Sequence, residues 1–131
     1  MIDHLSFYVT DYPTSKAFYE AVLASLGHGL VQELTTTWDP EFPTRRMCAF
    51  GPPGKSTLWL IEVKTPASPR HVAFTARDRA AVDAFHQTAL KRGAKDNGAP
   101  GERPHYHPRY YGAFVLDPDG NNIEAVNHGT P

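Results

Sequence analysis

The chain has 131 residues, of which 40% are hydrophobic and 21% charged, a balance typical of a folded domain rather than a disordered segment. Thirteen Lys and Arg stand against fourteen Asp and Glu, with no basic cluster to neutralise phosphates, which argues against a nucleic-acid partner. The N-terminus has no basic leader, and no apolar run reaches the roughly 18 residues of a membrane span, so we expect a soluble, cytoplasmic protein.

The first half of the chain begins with a predicted strand at LSFYV, whose aromatic and β-branched residues suit a sheet. A helix follows, with Pro13 near its start and Gly27 at its end. Its apolar residues recur at a period of about 3.6 residues: Ala17, Phe18, Ala21, Val22 and Leu26. Short strands are predicted near GLVQEL, MCAF and LWLIEV. The only cysteine, Cys48, lies in the second of these and is expected to be a small buried residue.

The second half follows a proline-rich linker, PASP, which interrupts both helix and strand. A strand is predicted at HVAFTA, and then a helix from an N-cap at Asp78 to Gly93. The buried stripe of this helix is predicted to comprise Ala81, Val82, Phe85 and Ala89. Strands are predicted near AFVLD and NIEAV, and the histidines outside the motifs discussed below are expected on the surface: His28, His86 and His128.

The two halves are related by an internal repeat. HLSFYVTD from His4 aligns with HVAFTARD from His71, and the His, Phe and Asp residues coincide at a constant offset of 67. At the same offset Phe18 falls on Phe85, and Leu23 falls on Leu90. A shared register with a shared order of predicted elements favours duplication over chance. We therefore predict an α+β fold of two tandem β-α-β-β-β modules, module one at about 1–65 and module two at about 70–128.

Three stretches resemble one known family: IDHLSFYVTD, HVAFTA and YYGAFVLDPDGNNIEAV. In this order and spacing they are similar to the vicinal oxygen chelate superfamily, which contains glyoxalase I, extradiol dioxygenases, fosfomycin-resistance enzymes and bleomycin-resistance proteins. The resemblance covers essentially the whole chain. It implies that residues 1–131 form a single domain, in which the paired modules curl their sheets into an open, barrel-like cleft.

The resemblance also implies a divalent metal held by His4, His71 and Glu124, with Glu124 taking part in catalysis. Two neutral imidazoles and one carboxylate suit Fe²⁺, Mn²⁺, Ni²⁺ or Zn²⁺ and leave positions for substrate oxygens. Residues 117–120 would form a turn in which Gly120 has a positive φ, so that the next strand directs Glu124 into the cleft.

The first module offers no obvious fourth ligand. Pairing the two modules places Leu58, Trp59 or Leu60 opposite Glu124, and none of these binds a metal. Glu62, further along the strand, is the alternative. A centre of two histidines and one glutamate resembles those of the dioxygenases and fosfomycin-modifying enzymes more than that of glyoxalase I. Isomerase, lyase, dioxygenase and transferase chemistry therefore all stay open.

The segment PGERPHYHPRYYGAF is predicted to close over the cleft, since binding groups concentrate on loops carried by a rigid scaffold. Tyrosines would supply contact area and an arginine, Arg103 or Arg109, would pair with an anionic group. The predicted substrate-binding residues are Trp59, Arg103, Tyr106, His107, Tyr110 and Tyr111. The alternatives are a solvated loop that covers the edge of the core, or a second metal site at HYH. Trp38 is expected either at the cleft or at a subunit interface.

Two functions follow from these features. The first is a metal-dependent enzyme, a lyase, isomerase or dioxygenase, that acts on a small oxygen-chelating substrate. The second is a metal-free protein of the bleomycin-resistance type that sequesters a small aromatic or cationic ligand, with Trp59 and the tyrosines forming the pocket. In either case the resemblance implies a homodimer, because small two-module proteins of this family often pair.

Overall fold

A computed structural model describes residues 1–129 of the chain. The chain divides into two compact units, one of residues Met1–Ser68 and one that begins at Pro69. Within the described residues, none of the helices has the length and apolar character needed to cross a membrane.

The first unit is a four-stranded sheet with one helix. Its elements in chain order are β1 (Leu5–Val9), α1 (Tyr12–Ala24), β2 (Gly29–Thr35), β3 (Arg46–Gly51) and β4 (Leu58–Glu62). The strand order is β1-β4-β3-β2, with β1 parallel to β4 and the other pairs antiparallel.

The second unit repeats this arrangement. Its elements are β5 (His71–Thr75), α2 (Arg79–Lys91), β6 (Lys95–Glu102), β7 (Tyr111–Leu116) and β8 (Asn122–Asn127). The order β5-β8-β7-β6 has the same single parallel pair, β5 with β8. The predicted fold of two tandem β-α-β-β-β modules is therefore confirmed, and each module forms its own open sheet.

Helix α1 begins where the sequence predicts and ends earlier. The Asp11 side chain caps it by accepting from the N–H of Thr14 at 3.2 Å. Its buried face includes Phe18 and Tyr19, and the Tyr19 ring lies 5.6 Å from the ring of Phe7 on β1. The helix stops at Ala24, because the chain turns before Gly27, whose φ of 88° ends the segment.

Helix α2 matches its prediction closely. Asp78 caps it by accepting from the N–H of Ala81 at 2.8 Å, and the four residues of the predicted stripe are all buried. The prediction that His86 lies on the surface is wrong, since this residue is 7% exposed. Its ring is covered because Nε2 reaches Asp96 on β6 at 3.0 Å, a bond that ties the helix to the edge strand.

The other two histidines expected on the surface differ from each other. His128 is exposed, as expected. His28 is only half-buried, and its Nδ1 is shielded from solvent with no hydrogen-bond partner among residues 1–129. Cys48 is fully buried on β3, as predicted.

Strand β6 was not predicted, because its sequence, KDNGAPGE, has the composition of a turn. The pairing of β6 with β7 is interrupted on both sides of Gly98, whose φ of 151° is open only to glycine. Pro100 lies in the irregular part of β6 between Gly98 and Gly101, which has no paired residue on β7, so its missing N–H costs no ladder bond.

Candidate metal site

A tight turn before β8 places Glu124. The Asp117 carboxylate accepts from the N–H groups of Asp119 and Asn121 at 2.9 and 2.8 Å, and from the side-chain amide of Asn121 at 2.9 Å. Gly120 has a φ of 85°, as predicted. The turn fixes the start of β8 at Asn122. Because side chains alternate between the two faces of a strand, Glu124 points away from the face that carries Ile123 and is covered by α2.

The Glu124 carboxylate is buried and has two neighbours. Only 2% of the residue is exposed. Oε1 lies 3.3 Å from Nε2 of His71, and Oε2 accepts a hydrogen bond from the Tyr110 hydroxyl. A Cβ on Gly112 would lie 3.1 Å from Oε2 and 3.1 Å from the Tyr110 ring, so a larger residue here would displace the carboxylate or the ring.

The hydrogen bonds of His71 define the role of its ring. Nδ1 lies 2.9 Å from the carbonyl oxygen of Asn122, and because a carbonyl only accepts, Nδ1 carries the proton. In the neutral ring Nε2 then has a lone pair and faces Oε1 of Glu124. Two acceptors 3.3 Å apart repel each other unless a proton or a metal cation lies between them.

Among residues 1–129, His71 is the only group that could place a positive charge beside this carboxylate. Within residues 1–129, neither Lys nor Arg pairs with Glu124, and His71 is its only basic neighbour. A buried carboxylate without a positive partner costs several kcal/mol, on the order of the effective desolvation penalty. The donor set of His71 and Glu124 therefore fits a divalent metal.

His4, in the first unit, precedes β1 at the position equivalent to His71. Its Nδ1 lies 2.6 Å from Oδ1 of Asp3, and this bond lowers the pKa of Asp3. The side chain is 55% exposed, and Nε2 is the nitrogen left for another ligand. Both predicted histidine ligands thus hold Nδ1 on an oxygen acceptor, the arrangement that commonly orients metal-binding imidazoles.

The strand register identifies the residue at the fourth position. Ser6 pairs with Trp59 in the first unit, and its equivalent, Ala73, pairs with Glu124 in the second. Trp59, half-buried, is therefore the counterpart of Glu124. The alternative, Glu62, is engaged elsewhere, since its carboxylate accepts from Arg46 at 2.8 Å and this bond lowers the pKa of Glu62.

The residues that the structure brings together are His71, Glu124 and Tyr110. Across residues 1–129, His, Cys, Asp and Glu side chains form no group of three or more that could hold a metal ion. His71 and Glu124 thus form a pair within the second unit, and His4 belongs to the first unit.

Arg103 does not extend into solvent. One of its nitrogens donates to the carbonyl of Ala99 at 2.8 Å, and the guanidinium lies 5.5 Å from the centre of the Phe114 ring. Phe114 in turn stacks on His71, with ring centres 6.2 Å apart. Arg103 therefore braces the aromatic residue that supports His71.

Tyr111 faces the helix rather than the site. Its hydroxyl donates to Asp83 of α2 at 2.6 Å, which raises the pKa of Tyr111, and the guanidinium of Arg79 lies over its ring, 4.7 Å from the centroid. These contacts give Tyr111 a structural role in joining α2 to β7.

The remaining loop residues surround Tyr110. The rings of Tyr106 and His107 pack edge-on against it, with centres 4.9 and 5.4 Å away. His128 was not among the site residues predicted from the sequence. It lies just after β8, and its ring centre is 5.2 Å from that of Tyr110. The sequence signal for a site role of His128 is its position four residues after Glu124, because an even spacing along a strand places two side chains on the same face.

A cavity of about 630 Å³ lies elsewhere in the first unit, between α1 and the strands β2 and β3. Tyr12, Lys16, Glu33 and Arg46 are among its lining residues. The Tyr12 hydroxyl donates to Glu33 at 2.5 Å, and Lys16 pairs with the same carboxylate at 3.1 Å. None of the predicted site residues lines this cavity.

Comparisons with known proteins agree on the family. A sequence model of the Glyoxalase/Bleomycin resistance protein/Dioxygenase superfamily matches residues 1–125. No curated protein matches the chain significantly.

Solved structures of similar fold include a glyoxalase/bleomycin resistance protein from Albidiferax ferrireducens T118. It is 28% identical, with a TM-score of 0.73, over 96% of this chain and 97% of that one. A family enzyme from Burkholderia phytofirmans PsJN is 23% identical, with a TM-score of 0.66, over 97% and 98% of the two chains.

A glyoxalase I mutant from Zea mays is 21% identical, with a TM-score of 0.71 over 95% of this chain. The match covers 45% of the maize chain, so the present chain spans less than half of that enzyme. Likeness to the maize and Burkholderia structures shows the fold alone, whereas the family match covers nearly the whole sequence. This chain belongs to the glyoxalase/bleomycin resistance protein/dioxygenase superfamily.

Proposed function

We propose that the protein is a divalent-metal-dependent enzyme that acts on a small oxygen-chelating substrate. His71 and Glu124 would provide two ligands, and His4, the equivalent residue of the first unit, would provide the third. The observation that carries the proposal is the pair of acceptors, Nε2 of His71 and Oε1 of Glu124, 3.3 Å apart, in which the Glu124 carboxylate is buried and the His71 side chain is 52% exposed. Fe²⁺, Mn²⁺, Ni²⁺ and Zn²⁺ all accept such ligands.

A metal at these residues would supply Lewis acidity toward substrate oxygens, which isomerase, lyase, dioxygenase and transferase reactions all use. The chain itself fixes the ligands. The Asn122 carbonyl holds the tautomer of His71, and Tyr110 occupies Oε2 of Glu124, so that Oε1 is the oxygen left for coordination. Burial, and next the bond to Glu124, raise the pKa of Tyr110, which keeps its hydroxyl a donor near neutral pH.

The surroundings favour a small, partly aromatic or anionic substrate. Phe114 presents a ring beside His71, and Arg103 places a positive charge behind that ring. Tyr106 is 57% exposed at the tip of the loop and offers a flat contact surface. We propose substrate contacts for Tyr106 and His107, and a supporting role for Arg103.

The test is the binding of Co²⁺, a spectroscopic substitute for the native metal, measured by absorption and calorimetry on protein stripped with a chelator. His71→Ala and Glu124→Gln should each weaken binding at least a hundredfold, about 2.8 kcal/mol, because each removes a direct ligand. His4→Ala should have a comparable effect if His4 is the third ligand.

Glu62→Gln is the matched control, since it removes a glutamate from the last strand of the other unit. Its Co²⁺ affinity should stay within about twofold of the wild type. Unchanged affinity in both His71→Ala and Glu124→Gln would contradict the proposed site, and loss of binding in Glu62→Gln would move the fourth ligand to that residue.

The alternative is a metal-free protein that sequesters a small aromatic or cationic ligand. One observation favours it: Trp59 stands at the position equivalent to Glu124, where an indole gives a binding surface but no metal ligand. This function would be supported over the enzyme if removal of metal with a chelator left ligand affinity unchanged and Trp59→Ala abolished ligand binding.

We also propose that the protein forms a homodimer. The support is the exposed apolar surface of the first unit, where Trp38 is 71% and Leu30 42% exposed. Leu30 lies on β2, the strand at one edge of its sheet. An uncovered sheet edge with apolar side chains favours association.

A further inference from the structure

The loop between β6 and β7 packs against residues 128–129, the segment that follows β8. The rings of His107 and His128 stack, with centres 5.1 Å apart and an angle of 27° between planes. Gly129 lies so close to Arg109 that an added Cβ would meet Arg109 carbons at 3.0 Å, and its φ of 91° suits only glycine. The loop and the segment after β8 therefore pack as one unit around Tyr110.

The hydrogen bonds of the two histidines fix their tautomers. The backbone N–H of Arg109 donates to Nδ1 of His107 at 3.1 Å, so this nitrogen is an acceptor. In the neutral ring the proton is then on Nε2, which lies 2.8 Å from Nδ1 of His128. His107 is consequently the donor and His128 the acceptor, and each ring is neutral.

Tyr110 connects the His107–His128 pair to Glu124. Both imidazoles pack edge-on against the Tyr110 ring, at 5.4 and 5.2 Å, and Tyr106 packs against it at 4.9 Å. The Tyr110 hydroxyl then donates to Oε2 of Glu124. With three rings around it, Tyr110 has little freedom to turn away from the carboxylate.

We infer that His107 and His128 are positioning residues: their mutual hydrogen bond holds Tyr110 on Oε2 of Glu124 and so directs Oε1 toward the ligand site. The part that concerns ligand binding rests on the proposed function. The part that concerns the loop stands on these contacts alone.

Three variants test this inference. His128→Asn places an amide oxygen where Nδ1 lies, which keeps an acceptor for the Nε2 proton of His107. His128→Ala removes the acceptor. His105→Ala is the control, since His105 is in the same loop and contacts Tyr106, not the histidine pair.

The first measurement needs no metal. Hydrogen exchange of the amides of residues 103–110, corrected for the intrinsic pH dependence, should show protection at pH 7.5 in the wild type, His128→Asn and His105→Ala. His128→Ala should exchange about tenfold faster. Long-range ¹H–¹⁵N spectra of the imidazoles give the tautomers directly.

The second measurement is Co²⁺ affinity at pH 7.5. His128→Ala should weaken binding about tenfold, as expected when a group behind a ligand is removed, and His128→Asn should restore it to within about twofold. His105→Ala should bind as the wild type does.

A protonated Nδ1 on His107 in the neutral protein, or unchanged loop exchange in His128→Ala, would overturn the inference. Absence of Co²⁺ binding in the wild type would refute the proposed metal site alone, because the exchange and imidazole spectra still decide whether the pair holds the loop.

Discussion

The two units have the same topology and the same strand register, yet only the second has a carboxylate at the candidate site. At an offset of 65, Trp59 on β4 corresponds to Glu124 on β8. The same offset relates Met47 on β3 to Gly112 on β7. In the second unit the glycine leaves room for the carboxylate and for Tyr110, whereas the first unit has a methionine at the equivalent register position.

The turns before β4 and β8 also differ in their polar groups. Both contain a glycine with positive φ, 74° at Gly54 and 85° at Gly120. In the second unit the Asp117 carboxylate gathers the N–H groups of the turn, and in the first unit Pro52 stands at the equivalent position. The fold thus provides the same strand position in both units, and the side chains decide whether it becomes a polar site or an apolar surface.

The largest expected effect tests whether the two cores are equivalent. Phe18 and Phe85 correspond at the repeat offset and are 2% and 0% exposed. Phe18→Ala and Phe85→Ala should each lower the free energy of unfolding by about 3–5 kcal/mol, because each leaves a cavity in a packed core. Equilibrium denaturation in urea measures this. A cost below about 1 kcal/mol for one of them would show that its core is not packed as its counterpart is.

A smaller effect concerns the sheet edges. The edge strand of the second unit, β6, has two interruptions of its pairing and Pro100, whereas β2 in the first unit has a single interruption and an exposed Leu30 beside it. Leu30→Lys should therefore weaken the proposed homodimer about tenfold or more, as measured by sedimentation equilibrium at micromolar concentration. Ala99→Lys on β6 is the control and should leave association unchanged. A wild type that sediments only as a 14.5 kDa species would rule out the dimer.

The smallest effect concerns the stability of the first unit toward acid. The bond to Arg46 lowers the pKa of Glu62 in the folded protein, so its contribution is present above the unfolded pKa of about 4.3 and is lost as pH falls through the folded value. The unfolding free energy should therefore decline between about pH 5 and pH 3, by less than about 1 kcal/mol from this pair.

Glu62→Gln should flatten that part of the profile, and Glu41→Gln, at an exposed position, should not. Urea denaturation at a series of pH values makes the comparison. Identical slopes for the wild type and Glu62→Gln would mean that the Arg46 pair contributes nothing to acid stability.

Much of the fold was predictable because local patterns and the repeat agreed. The apolar period of α2, its cap at Asp78 and the turn at Gly120 are all set by neighbouring residues, and each was found as predicted. Strand β6 was missed because its Gly, Pro and Asn residues have low strand propensity, and pairing with β7 overrides that preference. His86 was misplaced because the helical period could not show that Asp96 lies across from it.

The sequence by itself determined the two β-α-β-β-β modules, and its resemblance to a known family named His4, His71 and Glu124 as candidate metal ligands, since a repeat and a motif are both properties of residue order. Tertiary structure alone decided that Trp59 is the counterpart of Glu124, because register depends on pairing between strands far apart in the chain. It also brought Tyr110, His107 and His128 together behind the carboxylate. Contacts between a loop and a chain end 21 residues apart leave no periodic trace in the sequence, so only the folded chain reveals them.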